Sequence, residues 1–224
     1  MHTHFVGIDV QTARPCACAV LRLDGASVGT TWHAQVPELV AAIQEILASD
    51  AASLATCAIG IDSPRFPMNG AREHYWDGAR QRWRSRSSTD TGHGRHCEVV
   101  VKSLGLANPQ WTPPGDAPDW MKLGFDLYKA FAESGAIVYE VFPSASYSQF
   151  QKVPLTIQID LSNFAIGPKD MLDAYVCAAT IREYELGNGS AVGDGDRLGS
   201  IILPRRTAES NAGVLTWPVV DGFA

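Results

Sequence analysis

The stretch Phe5-Val6-Gly7-Ile8-Asp9 decides the fold of this 224-residue chain, because it is a short apolar run that ends in a carboxylate. Further along, Ala58-Ile59-Gly60-Ile61-Asp62 is another apolar run that ends in an acid. Short apolar runs of this kind are typical of strands that are buried on both faces of a parallel sheet. A carboxylate there is costly to bury unless a paired charge or a metal ion compensates it. The two runs therefore predict a parallel sheet that carries acidic groups at its edge.

The hydrophobic periodicity predicts the order of the remaining elements. The first three strands are expected to form a meander, since Asp24-Gly25 is a turn signal between the second and the third. Pro37 and Pro168 each open a predicted helix, and Gly135 ends another. The predicted strands are 5–10, 16–23, 28–34, 56–61 and 136–142, and the predicted helices are 37–49, 120–134 and about 168–186.

This order predicts an α/β fold with a central mixed five-stranded sheet, made of a three-strand meander and parallel strands, flanked by helices. We expect one domain at 1–204, with a long Arg-rich insertion at about 65–117 after the fourth strand. A C-terminal tail at 205–224 would follow, and Trp217-Pro218 is the only signal in it for docking onto the domain.

Composition limits the class of protein. With 46% hydrophobic and 19% charged residues, the chain is long enough for one sizeable core. No apolar run approaches the ~20 residues that cross a bilayer, and the N-terminus lacks the features of a secretory signal. The five cysteines are an odd number in mostly apolar surroundings, which makes a disulfide framework improbable and favours a reducing cytoplasm. A net charge of −6 argues against a general nucleic-acid coat but allows a local basic patch.

Further acidic residues follow the same pattern as Asp9 and Asp62. Glu140 interrupts the predicted strand at 136–142, and Asp170 and Asp173 lie three residues apart on one face of the last helix. Several carboxylate oxygens that converge on one point form a site for a hard cation such as Mg²⁺. The sequence therefore predicts a magnesium or manganese site built from these five residues.

An Asp in the first strand, an acid in the neighbouring parallel strand and acids on the last helix resemble the ribonuclease H-like fold. The string Asp170-Met171-Leu172-Asp173-Ala174 is similar to the end of RuvC-type resolvases. A set of strings in order resembles the family called domain of unknown function 429, which is described as a predicted RNase H-like nuclease. The resemblance runs from about residue 5 to 204 and rests on Gly7-Ile8-Asp9, Gly60-Ile61-Asp62-Ser63-Pro64, Gly94-Arg95-His96-Cys97-Glu98, Glu140-Val141-Phe142-Pro143-Ser144, Asp170-Met171-Leu172-Asp173-Ala174 and Gly199-Ser200-Ile201-Ile202-Leu203-Pro204.

That resemblance implies a hydrolase of nucleic-acid phosphodiesters that uses one or two divalent ions. Asp9 would bridge both ions, and Asp62 and Glu140 would bind the ion on one side. Asp173, or Asp170 in its place, would bind the ion on the other side. Other interpretations compete at two positions. Glu140 falls inside its strand and could pair with an arginine instead, and Asp170 could be favoured by the dipole of the helix whose first turn it occupies.

The segment from Arg65 to Lys102 has eight cationic and four acidic side chains, so its net charge is +4 and the remaining chain carries −10. Aromatic residues lie between its arginines, a combination that suits phosphate contact and base stacking. The candidate substrate-binding residues are Arg65, Arg72, Arg80 and Arg95, of which Arg95 could instead form a structural ion pair with Glu98. A solvated insertion anchored by Trp76 and Trp83 is the competing interpretation.

Two other functions remain open at this stage. An ATP-binding phosphotransferase of the same superfamily would need a glycine-rich phosphate loop, but Val10-Gln11-Thr12-Ala13 follows Asp9. A non-catalytic module that binds nucleic acid or protein could keep the acids for stability or for metal-dependent assembly. If nucleic acid is the partner, a short, structured or single-stranded piece is expected. The sequence leaves the oligomeric state open.

Overall fold

The computed structural model describes residues 2–207 and 212–218. Nine strands lie in these ranges: β1 His4–Asp9, β2 Cys16–Arg22, β3 Ser27–His33, β4 Cys57–Asp62, β5 His74–Asp77, β6 Arg82–Ser85, β7 Ile137–Val141, β8 Ser190–Val192 and β9 Ile201–Leu203. The six α-helices of the same ranges are α1 Val36–Ser49, α2 His96–Ser103, α3 Asp119–Glu133, α4 Pro143–Phe150, α5 Pro168–Glu185 and α6 Ala212–Leu215.

Seven strands form one mixed sheet in the order β3-β2-β1-β4-β7-β9-β8. β1 pairs antiparallel with β2 and parallel with β4, and β7 continues the parallel part between β4 and β9. The α/β class and the mixed sheet are confirmed, but the prediction of five strands is wrong. β8 and β9 were missed because a strand of three residues is too short to show a periodicity.

The two faces of the sheet pack against different helices. Side chains alternate along a strand, so Val6 and Ile8 of β1 face the core shared with α1 and α3, whereas Phe5 faces the core shared with α5. β4 divides in the same way, with Ile59 and Ile61 on the α1 and α3 side and Ala58 on the α5 side. The position of a residue in its strand therefore determines which helix layer it meets.

Helix α5 lies unusually close to the sheet because two glycines face it. Gly7 and Gly60 are neighbours in the register of β1 and β4. A Cβ atom on Gly7 would lie 1.9 Å from the carbonyl oxygen of Ala174 and 2.4 Å from the backbone nitrogen of Ala178. A Cβ atom on Gly60 would lie 3.2 Å from the carbonyl oxygen of Cys177. Only a residue without a side chain fits at Gly7 while α5 keeps this position.

The predicted insertion is folded and contributes to the core. β5 and β6 form a separate two-stranded sheet, and α2 buries Cys97 and three successive valines against β8 and β9. The tail docks on this region, because the ring of Trp217 lies 4.8 Å from His96 and 5.0 Å from Trp83, measured between centroids. The predicted tail lies outside the described residues at 208–211 and 219–224.

All five cysteines are free and buried. Among the helices of the described ranges, none is long and apolar enough to cross a membrane.

Candidate metal centre

Three carboxylates meet at the carboxyl ends of β1 and β4. Asp9 and Asp62 are register neighbours at the last positions of these strands, and Asp173 reaches them from the first turns of α5. One carboxylate oxygen of each lies within 4.8 Å of the corresponding oxygen of the other two. The alternation of the strands explains this meeting: Asp9 and Asp62 each follow a glycine by two residues, so they share the face on which α5 approaches.

The electrostatics of this cluster disfavour three ionised carboxylates. Burial, with smaller contributions from Asp173 and Asp170, raises the pKa of Asp9 to about 7, although a hydrogen bond from Gln11 opposes the change. Burial followed by repulsion from Asp9 and Asp173 raises the pKa of Asp62 well above its usual range. Such shifts occur where a buried carboxylate lacks a full counter-charge, and they are common at functional sites.

Neighbouring side chains hold the three carboxylates in place. Gln11 donates a hydrogen bond to Asp9 across 2.9 Å, from Nε2 to Oδ2. Tyr147 of α4 donates to Oδ1 of Asp173 across 2.8 Å, and the Lys169 ammonium donates to Oδ2 of the same residue. The Lys169 charge also favours ionisation of Asp9 and Asp62. Lys169 is thus the cation that stands beside the cluster in the described structure.

Asp170, the alternative to Asp173 as a predicted metal ligand, pairs with an arginine. Its Oδ2 accepts a hydrogen bond of 2.7 Å from Nε of Arg14 and lies 2.6 Å from Nη2 of the same guanidinium. It is buried and raises the pKa of Asp9, so it lies near the cluster without being one of the three converging carboxylates. Its position fits a residue that orients the start of α5.

Glu140 lies on the other face of the sheet. It is the register neighbour of Ile61, whose side chain faces α1 and α3, and not of Asp62. Its carboxylate accepts hydrogen bonds from Nη1 and Nη2 of Arg95, at 2.7 Å and 2.5 Å, and from the backbone N–H of Arg65 at 2.9 Å. The structure does not bring Glu140 into the three-carboxylate group, and instead shows the arginine pairing that was the alternative for this residue.

Arg95 connects Glu140 to a second acid. The guanidinium is 1% exposed, and it also contacts Glu98, which is 2% exposed. Glu98 accepts further hydrogen bonds from the backbone and hydroxyl of Thr112. Burial raises the pKa of Glu140, and Arg95 opposes the effect. Arg95 is therefore a buried structural cation, in line with the ion pair that the sequence offered as one interpretation.

The ion pair and the carboxylate group share a small cavity of about 50 Å³ that Asp62, Arg95, Glu98, Trp120 and Glu140 help to line. This space is large enough to admit water. Asp62 of β4 and Glu140 of β7 therefore lie close to each other, although they belong to opposite faces of the sheet.

The other candidate arginines differ in their surroundings. The Arg65 guanidinium lies over Phe66, with its carbon 5.4 Å from the ring centroid. Arg72 lies over Tyr75 at 4.1 Å. Arg80 is exposed on the turn of the β5–β6 hairpin and pairs with Asp77 at 2.7 Å. None of them contacts the three carboxylates through a hydrogen bond or ion pair within the described ranges.

Sequence reasoning missed Gln11, Tyr147 and Lys169. Only Lys169 left a usable signal, because it precedes Asp173 by four residues on a helix and so shares its face. Tyr147 belongs to α4, a helix that the sequence did not predict, and Gln11 lies in a loop whose path the periodicity does not specify.

The donor set fits a hard divalent cation. Mg²⁺ and Mn²⁺ prefer oxygen ligands, and two oxygens each ~2.1 Å from one Mg²⁺ can be at most ~4.2 Å apart. The three carboxylate oxygens lie within 4.8 Å of one another, which is wider than this limit. The side chains of Asp9, Asp62 and Asp173 must therefore move closer together to hold such an ion.

No protein-family model matches this chain, and neither a curated protein nor a solved structure was found that resembles it.

Proposed function

We propose that this protein is a divalent-metal-dependent nuclease of the ribonuclease H-like fold that hydrolyses phosphodiester bonds of nucleic acid. The convergence of Asp9, Asp62 and Asp173 within 4.8 Å carries the proposal. The sheet order supports it, because the antiparallel β1–β2 pair, the parallel β1–β4 pair and an acidic helix on one face are the features that the resemblance implies.

Each residue of the proposed metal site has its own role. Asp9 and Asp62 from the sheet and Asp173 from α5 hold the cation, which when bound activates a water and neutralises charge on the phosphate. Gln11 orients Asp9, and Tyr147 orients Asp173. Asp62 is the least buried of the three residues.

The alternative hypothesis is that the protein is a non-catalytic binding module, and one observation favours it. Lys169 supplies a positive charge to Asp173 from within the chain. Together with the raised pKa values of Asp9 and Asp62, this charge lets the cluster persist without an added ion. Under that reading the cluster would have a structural role, and metal would bind weakly or not at all.

The deciding experiment is a calorimetric titration of Mg²⁺ and of Mn²⁺ into the wild type, Asp9→Asn and Asp126→Asn. Asp126 is an exposed acid on α3, so its variant is a control for the same loss of charge. We expect saturable binding in the wild type and in Asp126→Asn, and none in Asp9→Asn. Mn²⁺-dependent cleavage of labelled single-stranded and duplex substrates should likewise occur with the wild type and with Asp126→Asn, and not with Asp9→Asn.

Equal binding in all three proteins would refute the carboxylate site. Metal binding without cleavage of any nucleic acid would favour the binding module over the nuclease.

A further inference from the structure

A second cavity, of about 370 Å³, lies in the folded insertion rather than at the three carboxylates. Its lining includes Arg72, His74, Asp196, Arg197, Leu198 and Trp217. The segment from Gly195 to Leu198 that forms one wall connects it to the buried ion pair, because the Leu198 carbonyl accepts a hydrogen bond of 3.2 Å from Arg95. The cavity is therefore connected to the buried ion pair through this carbonyl.

Arg72 is fixed in this cavity by aromatic rings instead of by acids. Its guanidinium carbon lies 4.1 Å from the ring centroid of Tyr75 and 5.3 Å from that of Trp111. Its Nε and Nη1 are buried and have no hydrogen-bond acceptor within residues 2–207 and 212–218. Buried polar atoms without partners are uncommon, and a positive charge held without a carboxylate attracts an anion.

Arg197 faces the same cavity from the opposite chain segment. It adopts a φ of 62°, which residues other than glycine seldom adopt. Its side chain is exposed and forms no hydrogen bond or ion pair within the described part of the chain.

Two acids also line the cavity, and one of them is already engaged. Asp196 accepts hydrogen bonds from the backbone N–H groups of His96 at 2.6 Å and of Leu198 at 3.1 Å, so both its oxygens are occupied. Glu73 is exposed at the rim. Arg72, Arg197 and Glu73 are therefore the charged side chains of this lining without an ion pair or hydrogen bond in the described residues, and of these only the two arginines attract an anion.

We propose that this cavity binds a phosphate group of a single nucleic-acid strand through Arg72 and Arg197. The inference rests on the proposed function, since it gives the nuclease a second contact with its substrate. The rings of Tyr75 and Trp111 hold the Arg72 guanidinium in one position. Arginine together with aromatic residues suits a strand whose bases are unpaired.

The test measures binding of a short, labelled single-stranded oligonucleotide in chelator, where no cleavage can occur. The variants are Arg72→Gln, Arg197→Asn and, as a control for loss of one charge, Arg82→Gln, which lies on β6 outside the cavity. We expect Arg72→Gln and Arg197→Asn each to weaken binding about tenfold and to reduce the salt dependence by about one phosphate contact. Arg82→Gln should change the affinity less than about twofold.

Asparagine tolerates the left-handed backbone at Arg197, so this variant keeps the test valid if Arg72→Gln does not fold. Equal losses in all three variants would indicate diffuse attraction and overturn the proposal, as would unchanged binding in Arg72→Gln and Arg197→Asn. Inorganic phosphate that binds as tightly as the oligonucleotide would make free phosphate, and not a strand, the ligand. If both arginine variants cleave nucleic acid normally with metal, the proposed phosphate site in the cavity is refuted and the proposed nuclease activity is not. If both variants bind the oligonucleotide more weakly but the wild type cleaves no nucleic acid, the nuclease activity is refuted and the phosphate site is not.

Discussion

Asp9 links the chemistry of the site to the stability of the fold. Its pKa is raised from 3.8 to about 7, mainly by burial. Between these values the folded protein keeps a proton that the unfolded chain has lost. The stability that this proton contributes is therefore fully present below pH 3.8 and is lost as the pH rises through about 7.

We accordingly expect the melting temperature of the wild type in chelator to fall as the pH is raised from about 5 to about 8. Asp9→Asn should show a weaker fall and should melt at the higher temperature at the upper pH, because the amide carries no charge. Scanning calorimetry of both proteins, with Asp126→Asn as the control that follows the wild type, measures the difference. A large loss of melting temperature in Asp9→Asn would show that the fold needs the Asp9 carboxylate and would contradict its proposed role as a metal ligand.

Lys169 occupies the place of a counter-ion beside Asp173, so it should compete with an added cation. Lys169→Met removes this competitor, and we expect it to bind Mn²⁺ about threefold to tenfold more tightly in calorimetry. Lys122→Met, which removes an exposed lysine of α3 that pairs with Asp116, is the matched control and should bind as the wild type does. Weaker binding in Lys169→Met would mean that the ammonium supports the metal-bound arrangement.

Arg95 compensates two buried acids, so its removal leaves Glu98 and Glu140 without their cation. We expect Arg95→Met to destabilise the protein by about 3–5 kcal/mol in urea unfolding. Arg80→Met breaks an exposed pair and should leave the urea midpoint nearly unchanged. If the charge imbalance is the cause, adding Glu140→Leu to Arg95→Met should recover part of the loss.

At the scale of elements, the close contact between α5 and the sheet decides whether Asp173 can reach Asp9 and Asp62. Gly7→Ala would place a methyl group 1.9 Å from a backbone oxygen of α5, so the helix must move. We expect a loss of about 3 kcal/mol, or ~6–12 °C in melting temperature, together with weaker binding of Mn²⁺. Gly78→Ala has open space around the new methyl group and should change neither quantity measurably.

The elements also show what a single sequence can and cannot reveal. Long periodic segments such as α1, α3 and α5 were predicted within about two residues, since a helix face of several turns leaves a clear pattern. The hairpin β5–β6 and helix α2 were missed, because their charged and aromatic residues follow no simple period. The approach of the acids on β1, β4 and α5 to one another was predicted from the order of elements together with the resemblance to the ribonuclease H-like fold.

Glu140 shows the limit of that reasoning for the site. Its strand was predicted correctly, but the register decides the face on which each residue lies, and a sequence does not fix the register between distant strands. A shift of one residue would have placed Glu140 beside Asp62. The Arg95 pairing likewise depends on α2, an element that the sequence did not reveal.

At the scale of the whole molecule, the candidate metal centre and the arginine-lined cavity lie in different parts of the structure. The first is built by β1, β4 and α5, and the second by the insertion and the segment before β9. If they act as separate sites that share one substrate, a change in one should leave ligand binding at the other intact. Metal binding can test this independence through the stability of the entire fold.

A cation that binds only the folded protein stabilises it by about 2.7 kcal/mol at a concentration of 100 times Kd, which corresponds to ~5–10 °C for a chain of this size. We expect Mg²⁺ to raise the melting temperature of the wild type by such an amount, and more at pH ~8 than at pH ~6, because the carboxylates must ionise to bind it. Asp62→Asn should lose the increase, whereas Arg72→Gln should keep it. An increase that disappears in Arg72→Gln would show that the cavity and the metal centre form one coupled site, since the removed side chain contacts none of the three carboxylates.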